Sequence, residues 1–393
     1  MRKNKTPRIG LFIPAFILLM TGCWHIIQPE NLATISMAGF DKEGGDYQIT
    51  LQILNPAGIP TAAAGNISTT EKPVRLLTAR GKTISEAVHE ANLYNPGHHF
   101  WGHLSAIVVG ETMAREGLGE LVDALARSTE MMETADLYIA RGLTAEKLLK
   151  STAGLKPYPA EALRKMTTYS SMHTWMKEVR LNQALQTLSY NPGTLVIPGL
   201  VRMNPEDPSS PNGKALGLEG LAVLSNWKLK GWMTGAEAEG FLWIMEQIEH
   251  HSFHVPYKEG VFDVEALNND TKINITMSEG KVKNVRIRVT TTARLTEVKN
   301  IKIDVGGNRK HAEYAVKTAI NEEIQSAIEA SLKKSQRLHS DIFGLGEQVR
   351  TTFPDNWKRI KYQWNDDHFP EIPIHVEVMS TIRDFGELLR NID

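Results

Sequence analysis

The residue whose chemistry stands out most in this sequence is its only cysteine, Cys23. A mostly apolar run at 11–20 and two small residues, Thr21 and Gly22, come directly before it. A thiol can take up an acyl group, and small neighbours let a peptidase reach the preceding bond. A run of this length is too short to cross a bilayer, which needs roughly 20 apolar residues. The pattern therefore indicates a cleaved leader. Its basic start is formed by Arg2, Lys3, Lys5 and Arg8.

The stretch Met20-Thr21-Gly22-Cys23 resembles the bacterial lipobox, usually Leu-(Ala/Ser)-(Gly/Ala)-Cys, with Met at its first place. We predict cleavage before Cys23 and a diacylglyceryl group on its sulfur, with N-acylation as a further step. Two or more acyl chains give firm membrane anchoring, whereas one alone is marginal. The alternatives are a short buried helix that ends in cysteine, or an ordinary leader cut elsewhere.

Two histidine clusters have spacings that suit metal binding. Neither contains the Glu of a His-Glu-x-x-His metalloprotease motif, and Gly97 and Gly102 disfavour a regular helix at the first. Surface or packing roles are therefore favoured, and no metal or other cofactor is expected. The clusters are His98, His99 and His103, then His250, His251 and His254.

No signature of catalysis appears in the rest of the sequence. There is no G-x-G-x-x-G fingerprint after a strand, no Walker lysine and no Gly-x-Ser-x-Gly elbow. We therefore predict no catalytic residues and no enzyme. The near balance of 44 basic and 45 acidic residues argues against a nucleic-acid partner. Core or interface packing is favoured for Trp227, Trp232 and Trp243.

Apolar periodicity predicts a mixed α/β or α+β protein. A half-buried strand is expected at "YQITLQIL", a helix opened by the capping box at Thr83 and Glu86, and short strands at "HLSAIVVG" and "ADLYIARG". A hairpin is expected within 273–289 and a long helix from about Arg309 to His339. Residues 55–68, rich in Pro, Gly and Ala, indicate a mobile loop. The predicted divisions are a leader at 1–22, an amino-terminal mixed domain at 23–201, a linker at 202–213, a middle domain at 214–270 and a carboxyl-terminal domain at 271–393.

Several segments in order resemble one family, the Ger(x)C or GerAC-type lipoproteins that form the C subunits of spore germinant receptors. They are Cys23-Trp24 with "NLATISMAGFDKEGGDYQITLQILNPAG", "GKTISEAVHEAN", "FWGHLSAIVVGETMAREGLGELVDALAR", "GLAVLSNWKLKGWMTGAEAEGFLWIMEQIE", and "SDIFGLGEQVRTTFPDNWKRIKYQWNDDHFPEIPIHVEVMSTIR". One departure lies beside the lipid site, where His25, Ile26 and Ile27 replace the charged residues usual in the family.

The resemblance implies three mixed domains of β-sheets with flanking helices, and a non-enzymatic function. Members sit on the outer face of the spore inner membrane with an A subunit and a multi-spanning B subunit. The assembled receptor responds to small nutrients and triggers germination; whether this subunit binds the nutrient does not follow from the resemblance. Two other functions stay open from the residues alone, a solute-binding lipoprotein of an importer and, ranked last, a lipid-anchored hydrolase.

Overall fold

Two mixed β-sheets with helices packed against them make up the part of the chain that the structure describes. The structure is a computed structural model. Cys23 and the predicted leader at 1–22 lie outside its described residues. These are residues 32–58, 72–95, 97–128, 134–151, 159–173, 178–189, 193–203, 216–246, 248, 250–299 and 309–384.

The first sheet contains nine strands of the described residues, in the order β3-β2-β1-β5-β6-β7-β8-β9, with the short β4 paired to the start of β1. Strands β1, β5, β6 and β7 run parallel, and antiparallel strands complete both sides. The strands are β1 (Leu32–Glu43), β2 (Asp46–Leu54), β3 (Val74–Gly81), β4 (His98–Phe100), β5 (Ala106–Gly110), β6 (Asp136–Ala140), β7 (Thr194–Arg202), β8 (Leu216–Ser225) and β9 (Lys228–Met233).

Helices cover both faces of the first sheet. On one face the core is formed with helices α1, α2, α3 and α6, and on the other with α4 and α5. Because both faces are covered, the central strands are buried almost throughout. The helices are α1 (Ile84–Leu93), α2 (Glu111–Glu116), α3 (Gly119–Arg127), α4 (Ala145–Ser151), α5 (Pro159–His173) and α6 (Leu181–Ser189).

The second sheet has the order β10-β11-β12-β13, with antiparallel pairs except for the parallel pair β12–β13. One of its faces packs on a long helix and several shorter ones, and the opposite face is largely exposed. The elements are α7 (Ala236–Ile244), β10 (His251–Tyr257), β11 (Gly260–Ser278), β12 (Lys281–Lys299), α8 (Arg309–Arg337), α9 (Leu345–Thr352), α10 (Pro354–Ile360) and β13 (Ile374–Asp384).

One hydrophobic core joins the two sheets. Val196 of β7 and Val223 of β8 belong to the same buried cluster as the inner face of the second sheet and helix α8. Within that cluster α7 lies directly against α8, since a Cβ atom on Gly240 would overlap the carbonyl oxygen of Ala327. Only glycine permits two helices to approach so closely at this crossing.

The predicted α+β class, with sheets and flanking helices, is confirmed. Strand pairing nevertheless crosses two of the predicted boundaries. Strands β8 and β9, placed in the middle domain, extend the first sheet through pairing of β8 with β7. The boundary at 270/271 falls inside β11. The linker at 202–213 is described only at Arg202, the last residue of β7, and at Met203. In these described residues, therefore, pairing assigns β8 and β9 to the first sheet and all of β11 to the second.

Among the described residues, no helix combines the length and the apolar character needed to cross a bilayer.

Candidate functional site

The described chain begins with Leu32 at one end of the first sheet. Residues Leu32 to Thr34 of β1 pair with β4, so that Leu32 lies beside His98 and Thr34 beside Phe100. Eight residues separate Cys23 from Leu32. At about 3.3–3.6 Å per residue, this tether spans roughly 30 Å at most.

The end of β2, the start of β3 and the end of α1 lie at this same end of the first sheet. Antiparallel pairing sets Ile53 of β2 opposite Ile35, and Leu54 opposite Val74 at the start of β3. Helix α1 runs back along β3, and the Arg75 guanidinium donates to the side-chain oxygen of Asn95 just beyond the helix. The loop predicted at 55–68 leaves the sheet here as well. Only its first four residues are described, including the turn at Pro56–Gly58.

The predicted helical stripe of α8 is confirmed as a core face. Val316, Ile320, Ile324, Ile328 and Leu332 are all buried in the cluster that joins the two sheets. The opposite side of the helix is exposed and carries both charge signs, which is typical of a solvated surface. Its exposed residues are Tyr314, Glu322, Ser326, Glu329, Lys333 and Arg337.

Two open grooves are lined by described residues. One, of about 710 Å³, lies between α1 and α3 against Ile84, Val88 and Leu125. The other, of about 560 Å³, lies where the two sheets meet, with Thr194 on one side and Phe343 on the other.

The histidines of the first cluster point in different directions. His99 is 4% exposed and packs edge-on against the buried Trp101, whereas His98 and His103 are exposed. Burial is the largest effect on the pKa of His99 and lowers it, so the imidazole is held in the neutral form.

The second cluster lies on a strand instead of a helix, because 251–257 forms β10. His250 pairs with Glu265 at 2.9 Å and His254 with Asp263, while His251 is buried near Glu239 at 3.4 Å. Among the described residues no group of three or more metal-binding side chains converges. The three imidazoles thus lie within hydrogen-bonding distance of carboxylates.

The tryptophans have the packing roles favoured from the sequence. Trp243 is fully buried, while Trp227 and Trp232 are partly buried against the core of the first sheet. The indole nitrogen of Trp232 also donates to Glu111 at 3.2 Å.

Asp341 is a buried carboxylate that the sequence does not single out. It is 3% exposed and accepts hydrogen bonds from the backbone N–H groups of Leu345 and Gly346 at 3.1 and 2.6 Å, and from the indole of Trp364 at 2.8 Å. The backbone carbonyl oxygen of Asp341 accepts a hydrogen bond from the hydroxyl of Thr194 on β7 at 2.5 Å. Asp341 therefore holds the start of α9, the following aromatic core and the first sheet together.

Asp136 is a second buried carboxylate, at the start of β6. It is 2% exposed, and neither of its oxygens has a hydrogen-bond partner among the described residues. The nearby Tyr138 hydroxyl bonds to Thr167 at 2.7 Å instead. Burial, aided by the negative charge of Glu178, raises the pKa of Asp136 to about 6. The ionised form is therefore disfavoured in the folded protein.

Replacing Asp136 by Asn is expected to stabilise the protein at pH 7 by up to about 2 kcal/mol. The pKa shift is worth about 3 kcal/mol, at roughly 1.4 kcal/mol per pKa unit, and burying an amide costs about 1–3 kcal/mol. Because the folded pKa lies above the unfolded one, the wild type loses stability as pH rises through 6, and the variant does not. The gain should vanish below pH 4. Thermal unfolding followed from pH 4 to 8 measures it.

The control for this variant is Asp123→Asn, at an exposed carboxylate whose pKa is lowered by Arg127. It should show no gain at pH 7. Equal destabilisation by Asp136→Asn at pH 4 and pH 7 would mean that the carboxylate has a favourable partner.

Comparisons with known proteins identify the family. The family description "Spore germination protein N-terminal domain" matches residues 27–202, and "Spore germination B3/ GerAC like, C-terminal" matches residues 219–386. This chain belongs to that spore germination family. Membership of this family assigns the chain a role in spore germination. The expectation that the protein is not an enzyme agrees with this membership.

Relatives of the germination family match along nearly the whole chain. Spore germination protein KC of Bacillus subtilis (strain 168) is 27% identical over 390 residues, covering 95% of this chain and 94% of that protein. Spore germination protein B3 of the same organism is 25% identical over 378 residues, with 94% and 96% covered. A crystal structure of the GerBC protein superposes with a TM-score of 0.55 at 18% identity, covering 88% of this chain and 96% of that one, which shows a shared fold.

Proposed function

We propose that this protein is the lipid-anchored C subunit of a nutrient germinant receptor, acting with A and B subunits on the outer face of the spore inner membrane. The observation that supports this most strongly is the match of both family descriptions in chain order, starting at residue 27, four residues after Cys23. The lipobox and the family matches are thus adjacent along one chain.

The lipid would give the subunit its place beside its partners. A body confined to a membrane surface meets other membrane proteins at a high effective concentration, so weak contacts suffice for assembly. The candidate contact surfaces are the loop at 55–68 and the exposed side of α8, where Glu322, Glu329 and Lys333 face solvent.

Deleting the gene, in a strain without redundant receptors, should abolish the germination response to the cognate nutrient. Spores should still respond to triggers that bypass nutrient receptors, because no step after receptor signalling is altered. The measurement is the loss of optical density of spore suspensions under each trigger. Complementation with the intact gene is the control, and an unchanged nutrient response in the deletion strain would contradict the proposal.

Assembly is tested by capturing the lipidated protein from detergent-solubilised spore membranes and identifying what accompanies it. The proposal expects one multi-spanning subunit and one A-type subunit in fixed ratio. Recovery of an importer's membrane component instead would favour a solute-binding lipoprotein.

A further inference from the structure

Three exposed large hydrophobic side chains lie at the end of the first sheet where the described chain begins. Leu93 and Tyr94, at the end of α1, are 66% and 62% exposed, and Phe100 on β4 is 38% exposed. The exposed His98 lies between them along the chain. We call these four residues the tether-end patch.

Three contacts fix the tether-end patch beside the start of β1. Phe100 lies opposite Thr34 in the β1–β4 pair, and His98 lies opposite Leu32. The end of α1 is held at the same end of the sheet by the hydrogen bond from Arg75 of β3 to Asn95. The patch is therefore built on strands and a helix whose positions do not depend on the tether.

The composition of the patch suits a lipid–water boundary. Tyrosine presents an apolar ring and a polar tip, and such side chains are enriched where one end is apolar and the other wet. The Tyr94 hydroxyl donates to Glu90 of α1 at 2.8 Å. The Phe100 ring contacts the His103 imidazole edge-on, with centroids 5.6 Å apart.

We propose that the tether-end patch rests on the headgroup–acyl boundary of the phospholipid bilayer. The inference depends on the proposed lipid at Cys23, since the tether of eight residues keeps Leu32 within roughly 30 Å of the attached acyl chains. An apolar patch held this close to the bilayer is covered best by the bilayer itself. The contact fixes the orientation of the first sheet, with β1 rising away from the membrane.

The test uses single thiols in the full-length, lipidated protein in vesicles. Because lipid would block the sulfur of Cys23, the variants Tyr94→Cys and Phe100→Cys each carry one thiol for an environment-sensitive fluorophore. Glu43→Cys is the matched control. Glu43 lies at the other end of β1 with its side chain 73% exposed, about 35 Å along the strand at 3.3 Å per residue.

We expect lipid-borne nitroxide near the headgroups to quench the fluorophore at positions 94 and 100 at least about threefold more than at 43, as for residues of an interfacial belt. Aqueous iodide should show the reverse order. Quenching at 94 and 100 by iodide alone would overturn the proposal. So would shielding from both quenchers, which would mean that the tether or a partner subunit covers the patch.

The unsubstituted protein separates the two proposals. If it takes up the label at Cys23, the lipid is absent, and both the anchor and the patch proposal fall. If it takes up none while positions 94 and 100 stay unquenched by lipid, the anchor stands and the patch proposal alone is wrong.

Discussion

Replacing Cys23 by alanine is expected to stop both lipid attachment and removal of residues 1–22. The sulfur is the only acyl acceptor of its kind in the chain, and the lipoprotein peptidase acts on the lipid-modified cysteine. The chain should therefore accumulate as a precursor. Intact-mass spectrometry should find Met1 retained and no diacylglyceryl group, whereas the unsubstituted protein is expected to begin at a modified Cys23.

A second variant isolates the contribution of the lipid to membrane binding. In it, a leader cut by ordinary signal peptidase replaces residues 1–23, so that the body is exported without acyl chains. Since one acyl chain gives an association constant of only about 10⁴ M⁻¹ and stable anchoring takes two signals, losing all chains should weaken membrane binding by roughly 10⁴-fold or more. The protein should then appear in the soluble fraction.

Thr21→Ala is the matched control for both variants, because alanine is usual at that place of the lipobox. Its processing and membrane retention should equal those of the unsubstituted protein. Full membrane retention of the unacylated body after a salt wash would show that something other than the lipid holds this subunit.

Replacing Asp341 by alanine is expected to destabilise the fold by about 3–5 kcal/mol, since it leaves several buried donors without an acceptor. These donors are the N–H groups of Leu345 and Gly346 and the indole of Trp364. Asp341→Asn retains one acceptor oxygen but turns an amide N–H₂ toward a donor, so its loss should be smaller. Chemical unfolding monitored by tryptophan fluorescence measures both.

Asp355→Asn provides the control, because that carboxylate is exposed and pairs only at the surface with Lys358 at 2.9 Å. Its unfolding midpoint should match that of the unsubstituted protein. A loss for Asp341→Ala no larger than that of the control would mean that the donors find water, and that Asp341 does not hold α9 in place.

The elements that sequence predicted well are those with one exposed side. The hairpin of β11 and β12 alternates strictly, with Ile273 and Ile275 facing the core and Lys272 and Asn274 facing solvent. The helix cap at Thr83 is confirmed too, since Glu86 N–H donates to the Thr83 hydroxyl at 3.1 Å. The Glu86 carboxylate accepts from the N–H of Lys82 at 2.6 Å instead of from that of Thr83. Local chemistry decides such features.

Strand β1 is missing from the sequence prediction for a physical reason. Buried residues run from Ser36 to Asp41 without a break, so no alternation marks the strand. Strand β7 is buried in the same way from Leu195 to Leu200 and even contains Pro198. A strand that is covered on both faces shows no alternation of apolar and polar residues.

Tertiary structure also decides two local features that looked clear. Thr234 and Glu237 have the spacing of a capping box, but α7 begins after Gly235, and no side chain caps it. His250 and His254 have helical spacing, but His254 lies on β10 and His250 directly precedes that strand. Likewise, nothing local marks Asp136 or Asp341 as buried, because residues far along the chain bury them.

The pairing of β7 with β8 has a consequence for anyone who cuts this protein into parts. The two matched family regions end at residue 202 and begin at residue 219, which separates these antiparallel neighbours. A fragment stopping at 202 would present the bare hydrogen-bonding groups of β7 to other molecules, and free strand borders of this kind recruit further chains. Isolated amino-terminal fragments should therefore self-associate, whereas a cut placed after Met233 would keep that border closed.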